Sequence, residues 1–126
     1  MTFETKDSGE RQEYDSGMRR DIQRGKPRFD LLLVEGVPYD NQFLTRFASL
    51  LQRGAEKYGE RNWQLADSVS ELDRFKSSAF RHFVQWVTGE LDEDHGAAVA
   101  FNIMAADYVK WKMDNAQAEQ EGPTEL

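Results

Sequence analysis

Between residues 43 and 113 the apolar side chains recur with the period of an α-helix in three successive segments. In the first, Phe43, Leu44, Phe47, Leu50, Leu51, Ala55 and Tyr58 share one face. Asp40 or Asn41 can cap its start after Pro38, and Gly59 can end it. The second opens on Ser68-Val69-Ser70-Glu71, the pattern of a capping box, and Leu72, Phe75, Ala79, Phe83 and Trp86 then mark a stripe for burial before Gly89. The third starts near residues 92–94 and is expected to reach about Met113, with Ala97, Phe101, Met104, Ala105, Tyr108 and Trp111 inward. No alternating stretch rivals these segments; only residues 29–34 read as a short strand or an extended lead-in. The expected fold class is therefore all-α, a helical bundle.

The flanks differ in composition. Residues 1–28 hold seven basic and six acidic residues and few apolar ones, which reads as an N-terminal arm without a core of its own, disordered or laid across the rest. Residues 29–113 form the expected helical domain. Residues 114–126 carry four acidic residues, no basic one and Gly122-Pro123, and read as a flexible tail. Three helices make a thin core, and Phe80, Val84 and Val87 give the second helix a further apolar side. A helix apolar on two sides needs a second partner, so a homo-oligomer, dimer or tetramer, is expected.

Composition removes several function classes. A net charge of −7 argues against a general nucleic-acid binder, which needs a basic face. The absence of cysteine excludes disulfides, thiolate metal sites and a Cys nucleophile. No apolar run approaches the roughly 18–20 residues of a membrane span, and the N-terminus lacks the apolar stretch of a secretory signal, so a soluble cytoplasmic protein is expected. Neither a P-loop nor the Gly-rich or Gly-x-Ser-x-Gly motifs occur.

The densest chemistry is Glu90-Leu91-Asp92-Glu93-Asp94-His95. Carboxylates this close repel one another unless they are solvated or share a cation, and oxygen-rich clusters suit Mg²⁺ or Mn²⁺. The same residues also suit a solvated helix start, favoured by the helix dipole. His82, Trp86 and Glu90 share one edge of the second helix, and His95 and Asn102 one edge of the third. In an antiparallel hairpin these edges meet, giving either satisfied core polar groups or a metal and phosphate site. Lys57-Tyr58-Gly59-Glu60-Arg61-Asn62-Trp63 offers cations, an indole and an amide, or simply a capped helix end with a Trp lid. Gly25-Lys26-Pro27-Arg28-Phe29-Asp30-Leu31 reads as a linker or as a third cationic contribution.

Taken in order, Ser16-Gly17-Met18-Arg19-Arg20-Asp21, the Gly25–Leu31 segment, Gly54-Ala55-Glu56-Lys57-Tyr58-Gly59-Glu60-Arg61-Asn62-Trp63, Arg81-His82, and Gly89-Glu90-Leu91-Asp92-Glu93-Asp94-His95 with Asn102 resemble the phage and prophage dATP/dGTP diphosphohydrolase family, the MazG-like group that includes the MazZ enzymes. The resemblance spans about residues 14–111. It implies an oligomeric all-α pyrophosphohydrolase using Mg²⁺ or Mn²⁺, which cuts purine nucleoside triphosphates, dGTP or GTP and also dATP, to monophosphate and pyrophosphate in phage nucleotide metabolism. Better-known MazG proteins carry Glu-Glu-x-x-Glu on one helix; here the acids concentrate at 90–94, and His82 stands where a carboxylate is expected.

On that resemblance Glu90, Asp92, Glu93 and Asp94 are the expected metal ligands, and Glu90, Glu93 and His95 the catalytic acid–base candidates. Arg28, Lys57, Tyr58, Arg61, Asn62, Trp63, Arg81, His82 and Asn102 are the candidate substrate contacts. Two other readings compete: a non-catalytic helical phage protein that oligomerises and binds a host factor, and a triphosphohydrolase releasing tripolyphosphate.

Overall fold

A computed structural model describes residues 3–121. The chain divides into two units, one up to Leu32 and one from Leu33 onward. In the first, strands β1 (Arg11–Glu13) and β2 (Arg19–Asp21) pair antiparallel, with Arg11 opposite Asp21 and Glu13 opposite Arg19. This hairpin was not expected in the arm; its sides are ionic rather than apolar, so no hydrophobic alternation announces it. Residues 29–34, read as a strand or lead-in, instead begin with a 3₁₀ turn at Phe29–Leu32.

The second unit holds α1 (Phe43–Tyr58), a 3₁₀ turn at Asn62–Leu65, α2 (Val69–Val87) and α3 (His95–Glu121). The residue capping α1 is Gln42, not Asp40 or Asn41, which lie in a preceding 3₁₀ turn. The buried Gln42 amide accepts from Val34 N–H and donates to the carbonyls of Val34 and Val37, tying the incoming segment to the helix start. Gly59, at φ 97°, ends α1 where a β-carbon would be strained.

Helix α2 begins as its sequence dictates. Ser68 Oγ accepts from Glu71 N–H and donates to Glu71 Oε1, which also accepts from Asp67 N–H. Its end is a Schellman turn: Glu90 N–H donates to Gln85 O and Gly89 N–H to Trp86 O, with Gly89 at φ 82°. That turn reverses the chain, and α2 and α3 run antiparallel, His82 against His95 and Phe75 against Phe101.

The centre of this pair is lined with small residues. Ala97, Ala98, Ala105, Ala106 and Val109 of α3 are buried, so the two backbones approach closely. Phe83 and Trp86, expected inward, are instead about half exposed, at 47% and 57%. His82 takes the buried position at that end of α2, displacing the aromatic stripe toward solvent. Trp111 is likewise exposed, and Val109 fills the core at that level. Helix α3 also outruns the expected end near Met113, because the Asn115-Ala116-Gln117-Ala118-Glu119 stretch contains no breaker. Residues 122–126 of the expected tail lie outside the described residues.

Removing the α2 cap with Ser68→Ala is expected to cost about 1 kcal/mol of stability. A urea titration followed by circular dichroism should show a lower midpoint with an unchanged slope.

Candidate active site

The loop from α2 to α3 is short, so the acidic run sits against the last turns of α2. Two groups of ligating atoms form there, His82 with Glu93 and His95, and Glu90 with Asp92 and His95, the atoms of each group lying within 4.8 Å of one another. At their centre His82 Nδ1 and His95 Nδ1 are 2.9 Å apart, both residues being buried. His95 Nε2 lies 2.7 Å from Asp92 Oδ1 and 4.0 Å from Glu90 Oε2. One assignment of protons satisfies every contact: His95 Nε2–H donates to Asp92, His82 Nδ1–H donates to the bare Nδ1 of His95, and His82 Nε2 faces the Arg81 guanidinium at 3.5 Å. Both imidazoles are then neutral.

The surrounding charges fall into distinct roles. Arg46 of α1 donates from Nε and a terminal nitrogen to the two oxygens of Asp94, each bond 2.8 Å. Asp94 also accepts from Ala97 N–H and so caps α3. The Arg46 hydrogen bonds hold the Asp94 carboxyl below the usual carboxylate range, and the hydrogen bond to His95 does the same for Asp92. Gln85 donates to Glu90 Oε2 at 2.9 Å and accepts from Arg81 at 3.2 Å. Among the described residues the Glu93 side chain has no hydrogen-bond or ion-pair partner, and it faces the adjoining cavity.

That cavity, about 1070 Å³, opens between α1, the Asn62–Leu65 turn and the α2–α3 junction. Asp92, Glu93, Asp94 and His82 line one side; Arg53, Lys57 and Arg61 line the other. Arg61 is in the left-handed region at φ 57°, a conformation that a non-glycine residue keeps only where its surroundings impose it. Trp63 is held edge-on against Phe101 and Tyr108, with centroids 5.7 and 5.6 Å away, which makes it part of the cavity wall. Tyr58, 70% exposed, is the aromatic that remains open to a ligand there.

A family model described as dATP/dGTP diphosphohydrolase, N-terminal, matches residues 9–119. The chain belongs to this family. No curated protein and no solved structure matches it. The dATP/dGTP diphosphohydrolase match covers every segment on which the resemblance was read, and the family name is that of a hydrolase.

Among the expected ligands of this diphosphohydrolase-family chain, Glu93 gathers with both histidines and Glu90 and Asp92 with His95, whereas Asp94 turns to Arg46. Lys57, Tyr58, Arg61, Asn62, Trp63, His82 and Asn102 all line the cavity. Arg81 braces His82 and Gln85. Arg28 belongs to the other unit and pairs with Asp30. Arg46, Arg53 and Gln85 were not anticipated. The first two share a face of α1 with Leu50 and Lys57 at i, i+4, i+7 and i+11, a periodicity present in the sequence but overshadowed by the apolar one.

Burial, reinforced by the Arg81 charge, lowers the pKa of His82 below its ordinary 6.5. The unfolded chain therefore takes up this proton at higher pH than the folded one. Stability present above about pH 6.5 is lost as pH falls through that value. Metal-free protein should melt at progressively lower temperature between pH 7.5 and 5.5, and His82→Asn should flatten that trend. An unchanged slope in the variant would assign the acid sensitivity elsewhere.

Proposed function

We propose that this protein is a metal-dependent nucleoside triphosphate diphosphohydrolase acting on purine deoxynucleotides. Its preferred substrates are dGTP and GTP, with dATP as the further candidate, and its products are nucleoside monophosphate and pyrophosphate. The observation that carries this reading is the cavity that brings Asp92, Glu93, Asp94 and His82 together with Arg53, Lys57 and Arg61. A polyphosphate needs positive charge on both sides, from the cations directly and from a divalent ion on the acidic side.

The donor set fits such an ion. Carboxylates suit Mg²⁺ and Mn²⁺, and two neutral imidazoles favour Mn²⁺ further. Either His82, Glu93 and His95 or Glu90, Asp92 and His95 would hold it, and when bound it would neutralise phosphate charge and make the attacking water more acidic. Asp94, committed to Arg46, supports the group from behind. Glu93, unpartnered at the cavity edge, accepts the proton of the water that attacks the α-phosphorus in line. The bond from that phosphorus to the α,β-bridging oxygen breaks, and pyrophosphate departs toward the cations contributed by α1. Tyr58 stacks on the purine, and Asn62 and Asn102 hydrogen-bond the base edge or sugar.

A panel of dNTPs and NTPs with Mg²⁺ or Mn²⁺, resolved by anion exchange, should yield dGMP and pyrophosphate from dGTP. Orthophosphate as the first product, or no purine turnover, would overturn this reading. Glu93→Gln should lower kcat by about 10²–10⁴-fold with the helical circular dichroism intact.

The reading extends to assembly and setting. Phe80, Val84 and Val87 of α2 are 71%, 44% and 60% exposed, and single chains seldom leave such a face to water. Pairing it across a two-fold axis gives a dimer, and a second axis a tetramer. Val84→Glu should give monomer or aggregate by light scattering, against an oligomeric wild type. The setting proposed is the host cytoplasm during phage replication, where such an enzyme reshapes the purine nucleotide pool.

A further inference from the structure

Four cations lie along α1 and the turn after it: Arg46, Arg53, Lys57 and Arg61. They are not equivalent. Arg46 is consumed by Asp94 in a two-bond pair. Arg61 stands beyond the end of the helix, 3.9 Å from Glu60, next to Asn62. Lys57 lies next to Tyr58, in the last turn of α1. Arg53 makes no hydrogen bond or ion pair among the described residues, although it lines the cavity.

The helix sets their order. With a rise of about 1.5 Å per residue, Arg53 lies roughly 10 Å along α1 from the Arg46–Asp94 clamp, and Lys57 about 6 Å farther. Arg53 is thus the free cation nearest the acidic side of the cavity, and its charge adds to that of Arg46 in depressing the Asp94 carboxyl. Asp94 is already neutralised by Arg46, so the Arg53 charge is surplus to the protein's own needs. A guanidinium is also the side chain whose fork matches phosphate oxygens two at a time.

From this placement we infer that Arg53 binds the pyrophosphate portion of the substrate, while Lys57, Arg61 and Tyr58 serve the nucleoside end. The inference rests on the diphosphohydrolase reading above and adds a residue and a direction to it: the polyphosphate points along α1 toward Arg46 and the base toward Gly59. Arg53 is a binding residue here, and no bond is made or broken by it.

The test is calorimetric and needs no turnover. Inorganic pyrophosphate and dGMP are titrated separately, with Mg²⁺ present, into wild type, Arg53→Met and Arg53→Lys. Loss of one charge-assisted phosphate contact should weaken pyrophosphate binding about tenfold or more in Arg53→Met, leave dGMP within about twofold, and be partly restored by Lys. Arg53 is exposed, so circular dichroism of the variants should match wild type. Pyrophosphate bound equally by wild type and Arg53→Met would overturn this assignment alone. Weakening of dGMP instead would overturn the direction. A wild type that binds neither ligand would bring down the diphosphohydrolase reading and this inference with it.

Discussion

The Arg46–Asp94 pair is the contact on which the rest of the site depends. Asp94 does two things with one carboxylate: it caps the first turn of α3 and receives a two-pronged guanidinium from α1. Capping fixes where the acidic loop stops and α3 starts; the guanidinium fixes how far α1 stands from that point. The pair is half-buried, which makes it stronger than a surface ion pair, and its geometry leaves neither oxygen of Asp94 idle. Gly96 completes the junction. A β-carbon there would lie at ordinary contact distance, 3.6 Å, from Arg46 and Trp86, so side chains of all three helices meet at this spot. With α1 set in this way, Arg53 and Lys57 necessarily face the carboxylates across the cavity.

The second constraint is the imidazole pair. Two buried histidines in van der Waals contact would be costly if either were charged, and the proton arrangement that satisfies both leaves them neutral. Neutral imidazoles with lone pairs near carboxylates are also what a divalent ion requires, and an ion binding there competes with the proton the histidines share. Structural satisfaction and metal chemistry are therefore alternatives for the same nitrogen atoms, not rival explanations of why the residues are present. Arg81 and Gln85 extend the arrangement to Glu90, joining the last turns of α2 to the loop beyond it.

The helices were legible because their signals are local. The Ser68 cap, Gly59 and Gly89 stops and apolar period each act within a few residues, and the structure keeps all of them. Orientation was less legible. The stripe of α2 through Leu72, Phe75 and Ala79 can continue through Phe83 and Trp86 or through His82, and hydrophobicity favours the first. Packing selects the second, because the alanines of α3 accept Ala79 and a flat imidazole at close range where larger rings would separate the helices. The β1–β2 hairpin leaves no hydrophobic trace for a related reason: the side-chain pairs across it are ionic, Arg11 with Asp21 and Arg19 with Glu13. The cluster at 90–95 was visible as chemistry, but the separation of Asp94 from its neighbours depends on Arg46, 48 residues away, and no local pattern reports it.

The tilt of α2 that buries His82 has a consequence on its other side. Turning the imidazole inward moves Phe83 and Trp86 toward solvent and adds them to Phe80, Val84 and Val87, so the apolar face outside is broader than the sequence stripe alone implies. The groove beside it is lined by Ala79, Phe83, Val99, Ile103 and Ala106 together with Asn102. The same Asn102 reaches the candidate active-site cavity and donates to Ala98 O within α3. One buried amide therefore borders both the groove and the cavity. Polar chemistry and apolar surface are coupled through a single helix: the rotation that supplies a histidine to the site also exposes the rings that need cover. A chain that solved only its own core would have turned α2 the other way, and it would have lost the imidazole that completes the acidic cluster.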